Sequence, residues 1–303
     1  MNASPQPALE PTPRVTFQGE LGAFSEEAVA HHFSRRAHPL PCRGFREAVQ
    51  RVETGEADFG MIPVENSLAG SVAPAYDALM AAEVEVVSEL IRPIRHVLMG
   101  TSRATLDGLR QVRSHPVALA QCTAFLGERT NLQAVAVYDT AGAAREVAGK
   151  GDPTVGAIAP GGAAERYGLK ILATDLQDRM DNQTRFYLIR STRPGGTPPH
   201  PQPKAPAPDS TAFKTVIIVE LSDEAGSLFS ALEPFAREGL SLAKIESRPA
   251  SVPWSYRFIL EVRESESAPA MRQALTELKR KASEFRVLGS FPTQASPTIR
   301  SEE

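Results

Sequence analysis

The chain has 303 residues and a net charge of −3, with 42% hydrophobic and 23% charged residues. Such values fit a soluble globular protein of about two domains. They exclude a nucleic-acid binder of the basic kind, because no Lys/Arg cluster is present to displace phosphate counterions.

Residues 1–13, MNASPQPALEPTP, are Pro-rich and polar and read as a disordered leader. They lack the basic-then-apolar order of a secretory signal. No apolar run reaches membrane-spanning length, so no membrane partner is expected and the cytoplasm is the default location. The two cysteines, Cys42 and Cys122, stand far apart, and the six histidines show no HExxH spacing. Both observations speak against a disulfide framework or a metal centre.

From 14 to 190, short apolar runs alternate with helical patterns. RVTFQG, EVEVVSEL, RHVLMG, VYDT, TVGAIAP and TRFYLIR read as strands, and SEEAVAHHFSRR, FREAVQRVETG, AGAAREVAGK and GGAAERYGL as helices. That alternation predicts an α/β domain with largely parallel strands. The proline of IRPIRH separates two strand-like runs and marks a hinge or an edge kink near 91–94. Residues 191–211 are rich in Pro and Gly and predict a semi-rigid linker. After it, 212–293 follow the order βαββαβ, a ferredoxin-like arrangement. In its first helix Leu228, Leu232, Phe235 and Ala236 share one face, and Gly239 supplies the C-cap. Residues 294–303 read as a disordered tail.

Four stretches of the first domain are too polar for their setting. In FQGELGAFSEEA, 17–28, Gly19 and Gly22 free the backbone after a strand and Ser25 can N-cap the next helix. In GMIPVENSLAGS, 60–71, an apolar run delivers Glu65, Asn66 and Ser67 to the carboxyl end of a strand, where α/β sheets bind ligands. In SHPVALAQC, 114–122, Ser114 and His115 precede Pro116 at a helix start, the place of a structural histidine. In DNQTRF, 181–186, Asn182, Thr184 and Arg185 crowd the entry to a buried strand.

Together and in this order, these stretches resemble the prephenate dehydratase family, with TAGAAREVA between the last two. The second domain is similar to the ACT domain that such enzymes carry, and KIESRP, 244–249, matches its phenylalanine-binding signature. The resemblance covers nearly all of residues 14–292. Val117 stands where the family usually has Gln, and Ser227 where it usually has Ala.

The resemblance implies a two-lobed catalytic domain, like a periplasmic binding protein, with hinge segments near 91–94 and 176–182. It implies decarboxylating dehydration of prephenate to phenylpyruvate, with no cofactor and no metal. Thr184, Glu65 and Asn182 would be catalytic, Thr184 as hydrogen-bond donor to the departing hydroxyl and Glu65 as the rival acid. Arg185 would clamp a substrate carboxylate, and Asn66, Ser67, Ser114, Gln121, Phe186 and Ser25 would complete the cradle. Phenylalanine would act as effector between paired ACT domains, near Gly226, Ser227, Leu228 and the turn Glu246, Ser247, Arg248 and Pro249. A homodimer or tetramer is therefore expected. Thirteen residues ahead of the catalytic domain are too few for a chorismate mutase segment, so a monofunctional enzyme is expected. The rival expectations are an arogenate dehydratase and a non-catalytic amino-acid sensor.

Overall fold

The computed structural model describes residues 12–193, 212–250 and 252–293. Residues 1–11 of the expected leader, 194–211 of the expected linker and the expected tail lie outside the described residues, and β11 extends to Ser191, one residue into the expected linker.

The first lobe runs β1 (Arg14–Gln18), α1 (Phe24–His32), β2 (His38–Cys42), α2 (Phe45–Glu53), β3 (Phe59–Asn66), β4 (Gly70–Ser71), α3 (Ala73–Met80) and β5 (Val84–Pro93). The second lobe runs β6 (Val97–Gly100), β7 (Gln111–Ser114), α4 (Pro116–Ala120), α5 (Thr123–Gly127), β8 (Gln133–Ala136), α6 (Thr140–Lys150), β9 (Val155–Ala159), α7 (Gly161–Tyr167) and β10 (Lys170–Ala173). The chain then returns as β11 (Gln183–Ser191) into the first sheet, whose order is β2-β1-β3-β11-β5. The second sheet has the order β10-β6-β9-β7-β8.

Both sheets are mixed, which corrects the expectation of largely parallel strands. β1 pairs in parallel with β2 and β3, but β11 runs antiparallel to both β3 and β5. The reason is the two-lobed path: a strand that returns from the second lobe enters the first sheet from the opposite end. The two crossings lie side by side, with Gln183 opposite Pro93.

Local chemistry moves some boundaries. The strand expected at VYDT lies earlier, at β8, because Asp139 accepts a hydrogen bond from Gly142 N at 2.7 Å and caps α6. Helix α1 ends at His32 because Ser34 and Arg35 turn left-handed, with φ of 50° and 60°. Its N-cap is Ala23 rather than Ser25, which is buried in the first turn. Strand β2 escapes a propensity reading because its sequence, HPLPC, carries two prolines, tolerated here on the sheet edge.

The C-terminal domain runs β12 (Phe213–Glu220), α8 (Ser227–Arg237), β13 (Leu242–Pro249), β14 (Tyr256–Val262), α9 (Pro269–Lys281) and β15 (Glu284–Pro292), in the sheet order β13-β14-β12-β15. All six elements fall where the sequence pattern puts them. The buried face of α8 is Ala231, Pro234 and Phe235, whereas Leu228 and Ala236 are exposed.

One face of this sheet, with Ile217, Val219, Leu260 and Val262, packs on α8 and α9. The opposite face, with Val216, Ile218, Ile259, Leu288 and Phe291, shares a core with Tyr76, Val84, Val86, Tyr187 and Ile189 of the first lobe. Strand alternation turns successive residues of β12 to opposite faces, so one strand serves two cores. The fit is close: a Cβ at Gly289 would lie 2.2 Å from the Val86 carbonyl oxygen.

Candidate active site

A cavity of about 610 Å³ opens beside the carboxyl ends of β1 and β3. The N-terminal ends of five helices meet at its wall, at Phe24 of α1, Phe45 of α2, Ala73 of α3, Val117 of α4 and Thr140 of α6. Each helix start carries partial positive charge from its unpaired amides. In α4 and α6 the side chains of His115 and Asp139 cap it, but the N-cap residues Ala23, Gly44 and Val72 of the other three carry no side-chain cap. Arg43 adds an exposed guanidinium at the cavity that has no ion-pair partner among the described residues. The cavity is thus built to receive an anion.

A chain of amides forms its floor, and its polarity can be worked out. Asn66 Oδ1 accepts from the backbone amides of Leu68 (3.0 Å) and Ala69 (2.9 Å), which can only donate. Asn66 Nδ2 is therefore the donor, its two protons shared among Asn182 Oδ1 (2.8 Å), Gln183 O (3.0 Å) and Thr184 Oγ1 (3.0 Å). Asn182 Nδ2 then donates to Gln121 Oε1 (2.9 Å), and that same oxygen faces His96 Nε2 at 2.9 Å. His96 Nε2 must carry the proton, which leaves Nδ1 as a lone pair without a partner among the described residues. Burial keeps the His96 imidazolium below its ordinary value, despite the hydrogen bond to Gln121, so the ring is neutral near pH 7. The consequence for Thr184 is direct. Its oxygen accepts from Asn66, and its own hydroxyl proton is free for a ligand.

Thr184, Asn66, Gln121, Phe186 and Ser25 line the cavity. Asn182 is fully buried behind them and ties Asn66 to Gln121. Ser67 holds the returning chain, donating to Asp181 O (3.1 Å) and accepting from Gln183 N (3.0 Å). Ser114 is fully buried away from the cavity wall and donates to Ile158 O at 2.6 Å, joining β7 to β9.

The expected carboxylate clamp, Arg185, points to the other face of β11. Its guanidinium meets Glu65 (2.7 Å), Glu261 (3.4 Å) and Glu89 (3.7 Å), because residues alternate across a strand and Thr184 takes the cavity side. Glu65 lies with it, between Arg185 and Lys244 at 3.4 Å. Sequence reasoning missed Arg43, Ser71 and His96. Arg43 had a signal, a cation at a strand-to-helix turn like the others. His96 sits just past the proline of IRPIRH and had none.

The model of the family described as prephenate dehydratase matches residues 15–194, and that of the ACT domain matches 215–280. The chain belongs to the prephenate dehydratase family. It is 35% identical over 288 residues to a bifunctional chorismate mutase/prephenate dehydratase of Neisseria gonorrhoeae, covering 94% of this chain and 76% of that protein. It is 36% identical to arogenate dehydratase 2 of Petunia hybrida, covering 93% and 72%. Among solved structures, prephenate dehydratase of Arthrobacter aurescens in complex with L-Phe superposes with a TM-score of 0.81 at 32% identity, covering 94% and 92%. A protein described as a novel type of quorum quenching acylase, GqqA, superposes with a TM-score of 0.80 at 33% identity, covering 93% and 98%.

In this prephenate dehydratase family member the expected effector residues split between two surfaces. Lys244, Glu246 and Arg248 alternate onto the face of β13 that meets the first lobe. There Lys244 donates to Ser71 Oγ at 2.6 Å, Glu246 bonds Ser71, and Arg248 pairs with Asp77 at 3.0 Å. Ser247 and Pro249 face outward. Ser227 and Leu228 line a hollow of about 170 Å³ with Trp254 and Tyr256, and Gly226 takes the left-handed turn before α8 with φ 88°. Among the described residues no group is placed to hold a metal ion, and no helix is long and apolar enough to cross a membrane.

Proposed function

We propose that this chain converts prephenate and a proton to phenylpyruvate, carbon dioxide and water. The observation that carries the mechanism is the free hydroxyl proton of Thr184, fixed by the amide chain behind it. Departure of hydroxide is the difficult step, and the Thr184 O–H is positioned to hydrogen-bond the leaving oxygen as charge develops on it. A threonine hydroxyl is too weak an acid to lose its proton outright at neutral pH. It stabilises the transition state or relays a proton. Rearomatisation of the ring drives the loss of carbon dioxide.

Binding of a dianion follows from the three uncapped helix starts and from Arg43. Arg43 replaces Arg185 as the cation that meets a substrate carboxylate. An unpaired cation at the cavity favours prephenate over arogenate, whose extra ammonium it would repel. Phenylalanine acts at paired ACT domains in a homodimer or tetramer. In support, Phe229, Ile245, Trp254 and Tyr256 leave apolar surface exposed on the C-terminal domain, Trp254 to 85%. Sedimentation with and without phenylalanine tests this, and a monomer under both conditions would refute it. The cytoplasm is the proposed location.

The decisive assay is phenylpyruvate formation from prephenate by purified protein, beside Thr184→Ala. Turnover in the wild type and a loss of roughly 10²- to 10³-fold in the variant is the expected result. Turnover of arogenate alone would replace the substrate. Equal rates in the two proteins would remove Thr184 from the mechanism.

A further inference from the structure

The face of β11 opposite the cavity is held by charges from the C-terminal domain. Glu261 of β14 is fully buried, and Lys214 of β12 and Glu89 of β5 are 6% and 3% exposed. Lys214 meets Glu89 at 2.8 Å and Glu261 at 3.0 Å, and Arg185 of β11 completes the ring. Tyr187, two residues further along β11, donates to Glu261 Oε1 at 2.6 Å. Val216, Ile218 and Ile259 bring apolar surface of the C-terminal sheet to the same interface.

Arg185 also meets Glu65 at 2.7 Å, so the two cations stand among three carboxylates, of which Glu89 and Glu261 are withdrawn from water together with Lys214. Such a buried group adds little stability over apolar residues of the same size, but it tolerates few geometries, because any displacement strands a charge without water. Its effect is therefore to set position. Arg185 is the direct neighbour of Thr184, and a β-strand passes a shift of one residue to the next with little slack. Either the C-terminal sheet holds β11 where it is, or the two move together.

We propose that Glu261 and Lys214, both in the ACT domain, are positioning residues for the active site: through Arg185 and Tyr187 they set where the Thr184 hydroxyl stands in the cavity. The ACT domain is then a structural part of the catalytic centre even without effector. The inference deepens the dehydratase reading and rests on it for the activity readout.

The test uses the full chain carrying Glu261→Gln, Glu261→Asp, or the charge-balanced Lys214→Met/Glu261→Gln. Arg257→Gln serves as control, since Arg257 pairs with Glu220 on the same sheet but outside the ring. The expected result is a kcat reduced roughly 10²-fold in Glu261→Gln and the double variant, with KM within about threefold of wild type. Amides 183–187 should exchange hydrogen faster, Glu261→Asp should recover part of the rate, and the control should match wild type. A folded Glu261→Gln or double variant with wild-type kcat and wild-type protection of β11 would overturn the proposal. If the wild type itself fails to turn over prephenate, the functional reading falls. The exchange comparison then decides the positioning claim alone, with unchanged protection overturning it and faster exchange supporting it.

Discussion

Thr184 and Arg185 share a peptide bond and lie in opposite environments. The cavity face of β11 is neutral: a hydroxyl, two asparagine amides, a glutamine and an uncharged imidazole, joined by hydrogen bonds whose direction is set by two backbone amides. The rear face is ionic, with Arg185 among three carboxylates from three strands. Neutral groups can aim a proton at a ligand without competing for its charges, and they leave the anion to helix ends and Arg43. The ion pairs hold the strand in register, those of Lys214 nearly out of contact with water and that of Arg185 with Glu65 partly exposed, and they leave no free cation on this face. A conspicuous motif of six residues thus divides its work between the two faces of a strand.

The largest effect that can break this division is expected at Arg185. Arg185→Met strands Glu261 and Glu89 with Lys214 alone, and should lower stability by about 3–5 kcal/mol in denaturant titration. Because the guanidinium faces away from the cavity, KM for prephenate should stay within a few-fold of wild type while kcat falls. A rise in KM with kcat intact would return Arg185 to the role of clamp. Thr184→Ala should show the reverse separation, losing rate by roughly 10²- to 10³-fold with little change in melting temperature.

A smaller effect is expected at Arg43, where Arg43→Gln should raise KM by about tenfold, corresponding to 1.4 kcal/mol, and leave kcat near wild type. Unchanged KM would place the carboxylate contact on the helix amides alone. The smallest is a pH signature. Burial alone would raise the Glu261 carboxyl, but Lys214 and Arg185 hold it below its ordinary value. The unfolded chain therefore takes up this proton first. The stabilisation is complete above the ordinary value of about 4.3 and is lost as pH falls through the lower folded value. Urea titrations between about pH 5 and pH 3 should show a flatter acid limb in Glu261→Gln than in wild type. Equal slopes would mean that this carboxyl does not carry the linkage.

Much of the molecule was legible in the residues. The ferredoxin-like domain was readable throughout, since each of its strands and helices is long and strongly patterned. The cavity wall was readable at Asn66 and Thr184, because an amide and a hydroxyl at strand ends have few other uses, whereas Gln121, at the C-cap of α4, was named through the family resemblance. Ser114 and Arg185 were assigned to the cradle by residue type, and each found its partner elsewhere, in the Ile158 carbonyl and in the ring of carboxylates. His96 went unread because an isolated His has no pattern of its own, and Arg43 was overlooked although it stands at the turn between β2 and α2.

The sequence by itself determined that β11 is a strand, and hence that Thr184 and Arg185 point to opposite sides of it, since the period of two belongs to the backbone. Only the tertiary structure decided which side meets the cavity and which meets the ACT sheet. Those environments come from residues far away in the chain, Asn66 at 118 positions and Glu261 at 76. No local preference encodes contacts at such separations. They are selected when sheets close over shared apolar cores and buried charges find the partners that remain.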